Sequence, residues 1–114
     1  MLLARNDETS PAKGWYLQLT DPALPAIGFA CKGINEPHYH RCLREVYLVA
    51  RGNSTLFVNG EVVELEPGDV IVVEPGEVHT FAASSADYFH FVLHCPAIPG
   101  DKVAASEAGG DASD

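Results

Sequence analysis

The middle of the chain consists of short apolar runs separated by turn residues, and this pattern predicts β-structure throughout. The runs are rich in Val, Ile, Phe and Tyr and are bounded by Pro or Gly. None of them keeps the 3.6-residue period of an amphipathic helix for the length that a helix needs. The predicted strands are WYLQL, AIGFAC, HYH, EVYLVA, STLFV, EVVELE, DVIVVE, VHTFAA and DYFHFVLHC. About nine short strands with frequent turns indicate an all-β sandwich or barrel.

The strongest local prediction is a β-hairpin whose turn is Asn59-Gly60, between STLFV and EVVEL. Both residues tolerate the positive φ angles that a two-residue hairpin turn requires. Pro-Gly pairs at 67–68 and 75–76 separate the following strands. Aliphatic side chains of the central strands are predicted to fill the barrel, namely Val49, Leu56, Leu65, Val70 and Val72.

The two ends of the chain differ in composition from its middle. Residues 1–13 mix charges with Ser and Pro, and residues 99–114 are rich in Gly, Ala, Ser and Asp. Because neither end offers much apolar surface to bury, we expect a flexible N-terminal segment over 1–13 and a disordered acidic tail over 99–114. One barrel domain is then expected over residues 14–98, as suits a chain of 114 residues.

Charge and cysteine content exclude several classes of function. Seven basic against sixteen acidic residues give a net charge of −9, whereas nucleic acid and anionic membranes are bound by clustered cations. No apolar run approaches the ~18 residues of a membrane helix, and the charged first ten positions do not resemble a signal peptide. We therefore expect a cytoplasmic protein without nucleic-acid or membrane partners. Cys31, Cys42 and Cys95 form no C-x-x-C pair, so reduced thiols are expected rather than disulfides or a zinc knuckle.

Candidate chemistry is concentrated in GINEPHYHRCLREVYLVARG, residues 33–52. Residues two apart on a strand face the same side, so His38 and His40 project together, as do Glu45 and Tyr47 on the next strand. Two imidazoles at this spacing can bind one metal ion. His79 begins a strand directly after a Pro-Gly turn, a position that suits a ligand at the mouth of a barrel.

These segments resemble the two sequence motifs of the cupin family. GINEPHYHRCLREVYLVARG is similar to the first motif and places His38, His40 and Glu45 in its register, with one residue fewer before the first histidine. GDVIVVEPGEVH is similar to the second motif and supplies His79, although the proline of the motif is displaced by one position. The resemblance covers roughly residues 26–95 and most of the predicted strands.

The resemblance implies a double-stranded β-helix, a jelly-roll barrel that holds one divalent transition metal ion on His38, His40, Glu45 and His79. Imidazole and carboxylate ligands without thiolate suit Fe, Mn, Ni, Zn, Co or Cu, and the ligand set does not choose among them. Four protein ligands on an octahedral ion leave two positions for water, O₂ or a chelating substrate. Burying three imidazoles and a carboxylate without an ion or a hydrogen-bond network would be costly, which independently favours a metal site.

For the other polar side chains, a functional role is weighed against a structural one. Tyr47 is the candidate catalytic residue, as a general base or a hydrogen-bond donor to substrate, although ordinary packing with a tethered hydroxyl is the preferred role. On a strand, His90 and His94 lie ~13 Å apart, too far to share an ion, and a packed or interface role is preferred to cavity lining. Arg41 and Arg44 are expected to be solvated or paired with acids.

The fold does not decide the reaction. We expect a metalloenzyme with a small-molecule substrate and place oxygenase-type chemistry first. The alternatives are a non-oxidative isomerase or lyase acting on a sugar acid or keto acid, and a binding module without turnover. Phe81 is expected in the cavity wall with Val49 and Leu56, and few cations are expected there, so a sugar phosphate is not favoured. A homodimer is expected, paired through the exposed WYLQL strand.

Overall fold

The computed structural model describes residues 1, 3–5, 12–17 and 23–105. Ten β-strands form two five-stranded antiparallel sheets. The strands are β1 (Lys13–Leu17), β2 (Ala26–Ala30), β3 (His38–His40), β4 (Arg44–Arg51), β5 (Ser54–Val58), β6 (Glu61–Leu65), β7 (Val70–Val73), β8 (His79–Ser84), β9 (Phe89–Cys95) and β10 (Lys102–Ala104). Within this part of the chain, no helix has the length and apolarity needed to cross a membrane.

The chain crosses repeatedly from one sheet to the other, as in a jelly roll. The first sheet has the strand order β1-β2-β9-β4-β7, and the second has the order β10-β3-β8-β5-β6. Among the strands that the structure describes, only two consecutive pairs are neighbours, β1 with β2 and the hairpin of β5 and β6. Asn59 and Gly60 turn that hairpin with φ angles of 48° and 83°, as the sequence predicted. The predicted all-β double-stranded β-helix is confirmed, together with strands in each of the predicted segments.

An apolar core fills one end of the space between the sheets. It includes Val49, Leu56 and Leu65, which were predicted to fill the barrel. The same prediction is wrong for Val70 and Val72, which are 58% and 45% exposed. Their strand is apolar at every position, so alternation does not reveal its inner face. The register decides the matter, because β7 pairs with β4 so that Ile71 and Val73 lie opposite Tyr47 and Glu45.

The segment expected to be a disordered tail contains a tenth strand. Residues 102–104 of β10 pair with residues 38–40 of β3, and Asp101 just before them is buried. Composition misses this strand because it buries a single apolar side chain, Val103, and is otherwise held by backbone pairing and the buried Asp101 carboxylate. The remainder of the expected tail, residues 106–114, lies outside the described residues, as do residues 6–11 of the expected flexible N-terminus.

Candidate metal centre

Four potential ligand side chains converge between the two sheets, and they are the four that the sequence predicted. His38 and His40 lie on β3, His79 lies opposite His38 on β8, and Glu45 reaches in from β4 of the other sheet. All four are buried. One ligand atom from each lies within 4.8 Å of the others, so the group can hold a metal ion.

Backbone carbonyls orient two of the histidines. His38 Nδ1 lies 2.7 Å from the carbonyl oxygen of Glu36, and His79 Nδ1 lies 3.0 Å from that of Glu77. A carbonyl oxygen can only accept a hydrogen bond, so each Nδ1 donates. In the neutral imidazole this leaves the lone pair on Nε2 for a ligand, which is the arrangement usual for metal-binding histidines.

The spacing around Glu45 fits ligands that share one ion. Its Oε1 atom lies 2.8 Å from His79 Nε2 and 3.3 Å from His40 Nε2. Two atoms that each lie about 2.1 Å from an ion, at a right angle, are separated by about 3.0 Å. Both ring nitrogens of His40 are buried without a hydrogen-bond partner among the described residues. Because an unpaired buried imidazole is costly, the residues present fit a metal ion.

The local electrostatics prepare these side chains for a cation. Burial raises the pKa of Glu45, but the adjacent imidazoles of His40, His79 and His94 outweigh burial and hold that pKa well below its usual range. Burial lowers the pKa of His38 to about 4. At neutral pH the carboxylate is therefore ionised and the His38 imidazole is neutral, the states in which both bind metals.

Tyr47 points into the same space, as expected for the face of β4 that carries Glu45. Its hydroxyl donates a hydrogen bond of 2.8 Å to Glu45 Oε1. Burial first, and then the nearby Glu45 charge, raise the pKa of Tyr47 well above 10. The phenol is therefore a neutral donor and is poorly suited to act as a general base, while a catalytic role for it stays a prediction.

The two histidines of β9 both line the cavity, whereas a packed or interface role was preferred for them; His90 is also packed, since it is buried against Tyr47 and Phe81. In the β4–β9 register, His94 lies opposite Glu45 and His90 lies opposite Val49. Facing residues of an antiparallel pair share one side of the sheet, so both histidines point inward. His94 Nε2 donates to Glu45 Oε2 at 2.7 Å, whereas His90 is buried and its Nδ1 shares a hydrogen bond of 2.6 Å with the Tyr88 hydroxyl. The sequence alone carries no signal for this register.

Comparison with known proteins identifies the family. A family model described as a cupin domain matches residues 29–95. This chain belongs to the cupin family. No curated protein matches the sequence.

Solved structures share the cupin's fold at low sequence identity. Pac13 from Streptomyces, described as a nucleoside dehydratase, is 21% identical with a TM-score of 0.67, over 81% of this chain and 75% of that one. KdgF from Halomonas is 22% identical with a TM-score of 0.61, over 74% and 78% of the two chains. A conserved double-stranded β-helix protein from Klebsiella pneumoniae is 18% identical with a TM-score of 0.64, over 89% of each chain. At these identities the likeness shows the fold alone.

The candidate metal centre of this cupin opens into a cavity of about 460 Å³. Its walls are mainly aromatic and aliphatic, and include Phe29, Ile34, Phe81 and Val92. Four residues from the first and last described strands also line it, namely Lys13, Gly14, Trp15 and Lys102. The cavity is therefore apolar along its walls, with the His/Glu cluster as its main polar feature.

The lining differs in part from what the sequence predicted. Phe81 is in the cavity wall as expected, but Val49 and Leu56 belong to the apolar core. The expected shortage of cations is wrong, because Lys13 and Lys102 both line the cavity. Both lysines lie in end segments that were expected to stand outside the barrel. They reach the site because their strands pair with the edges of the two sheets.

The two arginines at the turn between β3 and β4 are exposed, and one of them is paired with an acidic residue, as the sequence predicted. Arg44 Nε donates to Glu74 Oε1 at 2.7 Å, and both side chains are exposed. Arg41 is exposed as well. Cys42 is a free, exposed thiol.

Proposed function

We propose that this cupin is a metal-dependent enzyme that acts on a small organic molecule. The observation that carries the proposal is the buried, unpaired His40 imidazole beside an ionised Glu45 in a closed cluster of ligand atoms. His38, His40, Glu45 and His79 would hold the ion. A bound divalent ion supplies Lewis-acid activation of a substrate oxygen, and a redox-active one also supplies electron transfer.

The surrounding side chains support turnover at this centre. Tyr47 and His94 each donate to one oxygen of Glu45 and so fix the orientation of the carboxylate. The apolar walls, Phe81 among them, keep bulk water from one side of the centre. A cavity of about 460 Å³ is within the usual range for small-molecule sites.

Among the reaction classes open to such an enzyme, oxygenase-type chemistry is our first candidate. Three imidazoles and one carboxylate accept iron or copper as readily as non-redox ions. Apolar walls also protect oxidative steps from side reactions with water.

A non-oxidative isomerase or lyase is the second candidate, and a specific observation favours it. Tyr47 and His94 are protonatable groups inside the cavity, both in contact with Glu45. Such groups can hold or deliver a proton during enolisation or elimination. The fold shared with Pac13, described as a nucleoside dehydratase, is compatible with this reading.

Alanine variants test the metal site. His40→Ala and His79→Ala are expected to lose most of the metal, because each removes a ligand, while the circular dichroism spectrum stays that of a folded β-protein. His90→Gln is the matched control, since His90 lies in the cavity without belonging to the ligand cluster. The metal is measured by elemental analysis of protein purified without chelator or nickel affinity. Full metal occupancy in both alanine variants would refute the assignment.

An oxygen electrode separates the two reaction classes. In a substrate screen, iron or copper content with O₂ uptake supports the oxygenase. Turnover that persists without O₂ and is lost in Tyr47→Phe supports the non-oxidative enzyme. A metal-loaded protein that binds ligands but converts none of them would instead identify a binding module.

A further inference from the structure

The lining of the cavity differs in charge from the chain as a whole. The sequence has sixteen acidic and seven basic residues. Among the described residues that line the cavity, Glu45 is the one acidic residue, and it belongs to the ligand cluster. Lys13 and Lys102 line the same cavity, although the chain has only three lysines in all. An acidic protein thus places two of its three lysines in the lining of this cavity.

The two lysines come from the edge strands of opposite sheets. Lys13 begins β1 and Lys102 begins β10, and each strand is the outermost of its sheet. Lys102 Nζ donates to Glu36 Oε1 at 2.7 Å, an exposed pair. An ammonium group has three donors, so two remain for a ligand. Over residues 12–17 and 23–105, no ion pair within 4.0 Å engages Lys13, whose charge nevertheless acts on Glu36 and helps to lower the pKa of that carboxyl.

Trp15 provides an apolar surface beside these cations. Its side chain is 41% exposed although it lines the cavity. The indole lies directly over Gly28, where an added Cβ would be 2.8 Å from the ring, and it meets the His94 ring edge-on at 4.8 Å. The indole is thus held in place at the cavity while part of it stays available to a ligand.

We propose that the cavity binds a small organic acid whose carboxylate is held by Lys13 and Lys102 and whose apolar body lies against Trp15 and Phe81. The proposal rests on the proposed function, because the opposite end of such a ligand faces the His/Glu cluster. Since Lys102 already shares its charge with Glu36, the two lysines together match a single negative charge better than a phosphate dianion. The cavity volume, about 460 Å³, is within the usual range for sites that bind small molecules.

Tryptophan fluorescence tests the proposal, because the chain has one tryptophan and it lines the cavity. The probes are benzoate, the neutral analogue benzamide, and phenyl phosphate. They are titrated into the full chain as purified with its metal. Benzoate is expected to bind at least about tenfold more tightly than benzamide, since a charge-assisted hydrogen bond contributes that much or more.

Lysine variants locate the carboxylate. Replacing both cavity lysines, Lys13→Gln and Lys102→Gln, is expected to weaken benzoate about tenfold or more while leaving benzamide unchanged. Lys32→Gln is the matched control, because Lys32 is exposed and is not part of the cavity lining. Equal benzoate affinities in the wild type and the double variant would overturn the proposal, as would tighter binding of phenyl phosphate than of benzoate.

Metal content, measured on the same samples, separates this proposal from the proposed function. Lysine-dependent benzoate binding with the metal retained supports both. Lysine-dependent binding by wild-type protein that holds no metal supports the carboxylate site and counts against the metalloenzyme.

Discussion

Glu45 is held by donors to both of its oxygens. The Tyr47 hydroxyl donates to Oε1, and His94 Nε2 donates to Oε2. Oε1 is also the atom that faces His40 and His79. We therefore expect His94 to fix which oxygen is directed to the candidate metal position, as a positioning residue rather than a ligand.

Removal of His94 tests this role. In His94→Ala, Glu45 Oε2 loses its donor, and the metal affinity is expected to fall by about 10- to 100-fold while the fold is kept. A competition titration with a chromogenic chelator measures the affinity. Leu93→Ala is the control, because Leu93 precedes His94 on β9 and its side chain lies on the opposite face. Unchanged affinity in His94→Ala would show that Glu45 needs no such support.

At the scale of elements, the short strand β10 secures the turn that joins two ligand strands. Asp101 Oδ2 accepts hydrogen bonds of 2.9 Å from the backbone N–H groups of Cys42 and Leu43. Arg41 N–H donates to the Asp101 carbonyl at 3.1 Å. Burial raises the pKa of Asp101, but the two backbone donors hold it below its usual value. This segment therefore fixes the path of the chain from His40 to Glu45.

Asp101→Ala is expected to destabilise the fold by about 2–4 kcal/mol, because it leaves two backbone donors without their acceptor. Denaturant unfolding measures the change in the free energy of unfolding. Asp69→Ala is the matched control, since the Asp69 carboxylate accepts one N–H, from Glu66, in an exposed turn. If the two variants lose the same stability, β10 does not have the anchoring role assigned to it.

For the whole molecule, the buried His90 makes stability depend on pH. Burial lowers the pKa of His90 to about 4, although the charge of Glu45 acts in the opposite direction. The titratable neighbours, Tyr47 and Tyr88, have pKa values raised above 10 and stay neutral in this range. The unfolded chain takes up the proton near pH 6.5, before the folded protein does. Stability is therefore complete above pH 6.5 and is lost as the pH falls towards 4.

Protonation of His90 is expected to lower the free energy of unfolding by on the order of 3 kcal/mol at pH 4 relative to pH 7. In His90→Gln this contribution disappears, so unfolding free energies measured by denaturant should fall less steeply across the same range. The other titrating groups are shared by both proteins and cancel in the comparison, provided that their metal contents are matched. Parallel stability profiles would contradict the assignment.

Homodimer formation through the N-terminal strand stays a prediction. β1 is the outermost strand of the first sheet and pairs with β2 of its own chain. One of its edges is thus used within the protomer.

The sequence by itself determined nine of the ten described strands, the Asn59-Gly60 turn and the four clustered ligand residues. Turn chemistry and the two-residue period of a strand are local properties, so they can be read from neighbouring residues. The family resemblance then joined the two local motifs into one site.

Only the tertiary structure decided which further residues reach that site. His94 enters through the β4–β9 register, and Lys13 and Lys102 enter through edge strands whose composition resembles that of a loose end. The outward faces of Val70 and Val72 follow from register in the same way. A shift of one residue in strand pairing exchanges the two faces, and pairing between distant segments is set by the packing of the whole barrel rather than by local sequence.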